Sequence, residues 1–482
     1  MSRLRLAIPL MLAALFLTSG SIVTGGGGSS TPVVQPAYPA TGGMDRRQRP
    51  ATTSPASRQT SEDVARLADE VAKEVERLRG WQFKTPIKKE LSTPRDVRQY
   101  IERRAQEDLP PGKVERVQAF LRTIGLIPPD CDLKATYLSL LESQVGGYYD
   151  ADSRTMHLVE RPGGMPIVIE RIMLAHELTH ALDDQQADLG AFARANAGRS
   201  EDMDIVTASV VEGSATGLML QYVARAQLSG QINLQDLQQY AQQEAARGKA
   251  LLEAPRYFSV LLASYICGFH FLAKGDLTGL LLAPDNRAFG QSFLEAEKTP
   301  PRSSEQILHP SKYWDQTARD EPVIIDDAAA RRWLARGGRW VVHADTVGEM
   351  LIAILTTPED QRRELAGMEL ANAWTNPGAT GWGGDRFYLL ASGANAVEAG
   401  RTLKGLKGVW VTCWDTPQDR DEFLQALDQG RAAGHVAAPL GTLGAIVFFA
   451  VDEPERQALI RRLQESPLPA TRDGRTWSPG RV

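Results

Sequence analysis

Residues 174–185 read Leu174-Ala175-His176-Glu177-Leu178-Thr179-His180-Ala181-Leu182-Asp183-Asp184-Gln185. Ile167, Val168, Ile169, Ile172 and Met173 lead into this stretch, so a buried helix is expected over 166–186. On a helix His176 and His180 stand one turn apart on the same face, where both imidazoles can reach one metal ion. Glu177 lies between them, placed to take a proton from a water polarised there. The alternative is a polar helix face carrying two unrelated histidines. The apolar residues around the motif argue against it, because unpaired polar groups in a core are costly.

A catalytic zinc takes three protein ligands and keeps one position open. An extended HExxHxxGxxH motif would need Gly at 183 and His at 186, where the chain has Asp183 and Gln186. A cysteine ligand would have to be Cys131, but Pro128-Pro129-Asp130-Cys131-Asp132 reads as a loop leading into a helix cap. A downstream carboxylate is the third option. The stretch 207–221 is an apolar helix rich in small residues whose one acid is Glu212, 32 residues after His180. A lone buried carboxylate needs a partner, and a metal ion is one; the bland reading is a cap or surface glutamate.

With these residues in view, the sequence resembles the gluzincins, the thermolysin-like zinc metallopeptidases. Their pattern is HExxH on one helix and a glutamate ligand on the next. The resemblance implies His176, His180 and Glu212 as ligands of one zinc ion and Glu177 as general base. The stretches 144–150 (Gln-Val-Gly-Gly-Tyr-Tyr-Asp) and 304–313 (Ser-Glu-Gln-Ile-Leu-His-Pro-Ser-Lys-Tyr) are similar to an uncharacterised exported bacterial subgroup. The resemblance covers about 130–315 well and the C-terminal third loosely. It implies an oxyanion donor: His309 first, with Tyr313, Tyr148 and Tyr149 as alternatives. It also implies that the strand at Tyr148–Asp150 pairs with an extended substrate. One departure is Thr216, which stands where thermolysin-like enzymes carry an acid that orients a histidine. Asp183 and Asp184 are alternative acids for that task, and either equally reads as a surface residue.

Composition sets the frame. In 482 residues, 43% are hydrophobic and 23% charged, which is globular. The net charge of −5 lacks the basic footprint of a nucleic-acid binder. Three cysteines make no disulfide framework. Arg3 and Arg5, an apolar run over 6–17 and then Thr18-Ser19-Gly20-Ser21 have the order of an export signal, cleaved or kept as an anchor. Residues 25–60 are Gly/Ser/Pro-rich and read as a linker.

Further along, 257–273 is uncharged and reads as a buried helix more than a membrane span. His157, His343 and His435 have no ligand spacing. Gly381-Trp382-Gly383-Gly384-Asp385-Arg386 reads as a tight turn. Helices are expected at 346–355, 358–374, 417–428 and 453–464, with strands at 386–390, 408–413 and 445–451.

The expectation is an α+β protein. Residues 1–24 are a signal peptide or anchor and 25–60 a flexible linker. A mostly helical zincin-type metallopeptidase domain with a small edge sheet spans 61–315, and a smaller α+β module follows over 316–482. The expected activity is zinc-dependent hydrolysis of peptide bonds in the cell envelope or outside the cell, endopeptidase rather than exopeptidase because no terminus-capturing motif is evident. The partner is a peptide or protein substrate, with no nucleic acid and with membrane contact only through the N-terminal anchor. The alternatives are a zinc-stabilised envelope scaffold without turnover and a zinc hydrolase of a non-peptide amide.

Overall fold

The computed structural model describes residues 61–108, 112–144, 146–159, 166–231, 253–358, 374–430, 434–465, 468–472 and 474–477. The expected export segment and linker, 1–60, and nearly all of the helix expected over 358–374 lie outside these residues. The molecule is α+β and mostly helical.

Helix α1 (Ser61–Arg79) carries Glu62 and Asp63 in its first turn and Arg77 and Arg79 in its last, the polarity that suits the helix dipole. Its face Leu67, Ala68, Val71, Val75 and Leu78 is buried, as the spacing predicts. Strand β1 (Lys88–Ser92) and helices α2 (Pro94–Asp108), α3 (Lys113–Ile124) and α4 (Leu133–Gln144) follow. The strand expected at Tyr148–Asp150 is β2 (Gly147–Asp150), which forms an antiparallel hairpin with β3 (Thr155–Val159). β1 adds in parallel to β3, so the sheet order is β1-β3-β2 and β2 is an edge strand.

Helix α5 (Ile167–Ala187) carries the HExxH motif, and every residue from Ile172 to Asp184 is buried. A helix covered on all sides belongs to a core. After α6 (Leu189–Asn196), the 28-residue α7 (Glu201–Leu228) starts at Ser200, whose side chain accepts from the Met203 amide. Glu201, Asp202 and Asp204 in its first turn face the positive end of the helix dipole. The uncharged stretch forms the buried helix α8 (Val260–Leu272). α7 and α8 meet backbone to backbone: a Cβ on Gly213 would lie 2.2 Å from the Gly268 carbonyl carbon. Among the described residues no helix is long and apolar enough to cross a membrane. Short helices α9 (Leu277–Leu282), α10 (Arg287–Lys298), α11 (Ser304–Leu308) and α12 (Ser311–Trp314) close this half.

The C-terminal part runs β4 (Ile324–Ile325), α13 (Asp327–Leu334), β5 (Arg339–Asp345), α14 (Gly348–Thr356), β6 (Trp382–Ser392), α15 (Ala396–Thr402), β7 (Lys404–Trp414), α16 (Pro417–Gln429), β8 (His435–Leu440), β9 (Gly444–Phe449), α17 (Glu453–Glu465), β10 (Ala470–Arg472) and β11 (Arg475–Trp477). Five strands form an antiparallel sheet in the order β5-β6-β7-β9-β8. Alternate residues divide between its faces. Phe387, Trp410 and Val447 join the main core, while Leu390, Val409 and Ile446 build a second, smaller one. The main core continues from the helical half into this sheet. At the junction Gly348 (φ 76) approaches Asp202 so closely that a Cβ would sit 1.8 Å from its carboxylate.

The expected turn at 381–386 is confined to its first residue. Gly381 takes φ 77, and β6 begins at Trp382. The reason lies in Asp385. Its carboxylate accepts the Trp382 indole at 2.9 Å, the Trp410 indole at 3.1 Å, and the Val347 and Gly348 amides at 2.9 Å each.

Candidate metal centre

Helices α5 and α7 bring His176, His180 and Glu212 into one buried cluster. Glu212 Oε2 lies 3.3 Å from Nε2 of His176 and 3.3 Å from Nε2 of His180, and the two Nε2 atoms are 3.0 Å apart. The imidazole planes stand at 86°. A tetrahedral ion with bonds of about 2.0–2.2 Å separates its ligand atoms by roughly 3.3–3.5 Å, close to this triangle. The donor set, two imidazole nitrogens and one carboxylate oxygen, suits zinc. Burial alone would raise the Glu212 carboxyl, but the His180 and His176 imidazoles outweigh it and hold it well below the usual range.

Glu177 is not part of this triangle. It is 1% exposed, and its Oε1 has no hydrogen-bond partner among the described residues. Burial pushes its carboxyl up to about 7, against the opposing effects of His176 and of a hydrogen bond from the Tyr149 backbone amide. That amide belongs to edge strand β2, so the strand nearest the motif is tied to Glu177 itself.

The acids that follow His180 do not orient either histidine. Both Asp183 oxygens accept from Arg79, and Oδ2 also accepts the Ser214 hydroxyl at 2.7 Å. Asp184 accepts the Tyr149 hydroxyl at 2.8 Å and the Leu189 amide at 2.9 Å. The reading of either as a surface acid fails too, since both are buried.

The four oxyanion candidates are dispersed. Tyr148 is stacked between Tyr100 and His157, at 4.2 and 4.5 Å. Tyr149 gives its hydroxyl to Asp184, and Tyr313 donates to the Thr299 carbonyl at 2.5 Å. His309 caps α11 with its Nε2 2.9 Å from Oε1 of the fully buried Glu349 on α14, which also accepts the Thr375 hydroxyl at 2.6 Å. No hydrogen bond or ring contact among the described residues joins His309 to the cluster. It stands near His270, whose imidazole burial and His309 together hold below its ordinary value.

Two contributors went unread in the sequence. Tyr265 on α8 stacks on His176 at 5.8 Å and 26°. Nothing local marks it in an apolar helix. Glu349 had a signal: it is a lone acid in Gly348–Thr356, the same pattern that singles out Glu212. A second acidic group, Glu305, Asp320 and Asp415, already surrounds a cation of the chain. Lys312 Nζ lies 2.5, 3.1 and 3.0 Å from the three carboxylates.

A family model described as a domain of unknown function (DUF8575) matches residues 337–464. This segment holds the five-stranded sheet and Glu349. No curated protein and no solved structure matches the chain.

Proposed function

We propose that the chain is a gluzincin-like zinc metallopeptidase of the cell envelope or exterior, with a zincin-type domain formed by its helical half. The observation that carries this reading is the convergence of His176 Nε2, His180 Nε2 and Glu212 Oε2 at 3.0–3.3 Å, with the uncoordinated carboxylate of Glu177 on the same helix. Zinc, when bound, supplies Lewis acidity toward a scissile carbonyl and makes water a stronger acid. Glu177 then acts as general base on the attacking water and returns the proton to the leaving amine. Its burial suits this task, because a desolvated carboxylate is a stronger base than an exposed one. His309, steadied by Glu349, is the candidate donor to the oxyanion.

A second reading, a zinc-stabilised envelope scaffold without turnover, has one observation in its favour: His176, Glu177, His180 and Glu212 are each at most 5% exposed. Glu177→Gln separates the two. The variant should bind zinc like wild type while peptide hydrolysis falls at least about a hundredfold, the usual worth of a positioned general base. Zinc-loaded wild-type protein that cleaves nothing in a broad peptide library would leave the scaffold, or a non-peptide amide substrate, as the account.

A further inference from the structure

Strand β2 runs into a cleft lined by Tyr149 and Ala151, by Tyr100 and Arg104 of α2 and by Arg194 of α6. Tyr149 belongs to this cleft and to the metal centre at once. Its amide donates to Glu177, and its hydroxyl donates to Asp184, seven residues further along α5. Seven helical residues span about 10 Å. An extended peptide covers that length in about three residues. No strand pairs with the outer side of β2, so a peptide laid along it past Glu177 reaches the cleft.

The two guanidiniums of the cleft differ. Arg104 is buried and already matched, 2.6 Å from Asp150 and in a second ion pair with Asp152. Arg194 is half-exposed, and its nearest carboxylates, Asp152 and Asp188, are 3.7 and 3.9 Å away. It makes no hydrogen bond among the described residues. Its Nη1 lies against the bare backbone of Gly190, where a Cβ would be 2.9 Å away. Asp152 is the one acid that lines the cleft, and Arg104 holds it, so the unmatched charge there is positive. A guanidinium with free N–H groups matches the two oxygens of a carboxylate.

We propose that this cleft is a specificity subsite in which Arg194 takes a carboxylate of the peptide substrate, about three residues from the bond that is cut. The inference rests on the peptidase reading above. The carboxylate is an Asp or Glu side chain or the C-terminus of the substrate, since both present the same two oxygens. Tyr100 and Leu189 add apolar lining for the carbon atoms that carry it. Because Arg194 is half-exposed, water screens the pair, and the preference it confers is about fivefold.

The test uses the zinc-loaded full chain and a random peptide library, one half with free and one half with amidated C-termini, with the cuts mapped by mass spectrometry. Wild type should cut with a carboxylate enriched about fivefold at one position, about three residues from the cut. Enrichment of Asp and Glu in both halves assigns the side chain, and cleavage favoured only near free C-termini assigns the terminus. Synthetic peptides with Asp, Asn or Lys at that position, or with a free or amidated end, then give ratios of kcat/KM. Arg194→Gln should bring the carboxylate-to-amide ratio to about one. Arg194→Glu should reverse the preference toward Lys, a gain that loss of packing does not produce. Cutting without carboxylate enrichment, a preference for basic residues in wild type, or a ratio unchanged in Arg194→Gln would each overturn the subsite and leave the peptidase reading standing. Zinc-loaded wild type that cuts nothing in the library would instead overturn the peptidase reading, and the subsite with it.

Discussion

The guanidinium of Arg79 is fully buried and grips Asp183, three residues beyond His180, with Nη2 2.6 and 2.7 Å from the two carboxylate oxygens. It also donates to Ser214 Oγ and Asn286 Oδ1, each at 2.5 Å. One side chain from α1 therefore ties α5 and α7 to each other and to the start of α10. Removing one partner of such a pair strands the other charge in the core, at a cost of about 3–5 kcal/mol. Arg79→Met should destabilise the chain by that order in chemical denaturation and loosen zinc binding with it. Arg79→Met/Asp183→Leu should recover most of the stability, because a buried ion pair exchanged whole for apolar groups costs little. A single variant as stable as wild type would contradict the clamp.

His309 and Glu349 make a second long-range pair, and it crosses from the helical half into the C-terminal segment. If His309 serves the oxyanion, His309→Ala should retain zinc and lower kcat about 10²–10³-fold, the worth of one such donor. Glu349→Gln should lower kcat less and leave KM nearly unchanged, since it acts only through the imidazole. A raised KM with unaltered kcat would instead make the pair a binding or packing element.

The junction between the two halves should weaken as pH rises from acid through neutral. Burial, opposed by hydrogen bonds from Ser304 and reinforced by Asp385 and Asp345, pushes the Asp202 carboxyl from 3.8 up to about 8. A group whose pKa is higher in the folded than in the unfolded chain stabilises the fold below its unfolded pKa, and that stability is lost as pH rises through the folded value. Asp202 should therefore make the chain progressively less stable from about pH 4 to about pH 8. Denaturation curves across this range should show the decline, and Asp202→Asn should flatten it. An identical slope in the variant would assign the effect to other groups, such as Glu201, whose carboxyl burial also raises.

What could be read in the chain beforehand was whatever depends on near neighbours in sequence. The HExxH helix and the glutamate of α7 both announce themselves through local spacing or through a lone charge in an apolar run. Strand β1 did not, because Lys-Lys-Glu-Leu-Ser has neither alternation nor β-branched residues; it is a strand through parallel pairing with β3, from Lys88 opposite Thr155 to Ser92 opposite Val159. Arg79 was equally hidden, since its partner lies 104 residues away. The turn expected at 381–386 became a strand because Asp385 is drawn inward by two indoles and two amides, one of those indoles from Trp410 on the neighbouring strand. Glu349 differs from these. Its signal was present, but its partner His309 comes from another element, and only the fold makes the lone acid intelligible.

The central claim is that His176, His180 and Glu212 hold one zinc ion, and the metal content of the purified chain tests it most directly. Elemental analysis of wild type should give about one zinc per chain, as a single three-ligand site requires. His180→Ala and Glu212→Ala should each lose most of it, whereas Glu177→Gln should keep it. Full zinc content in both ligand variants, or a wild-type chain that takes up no zinc at all, would contradict the account.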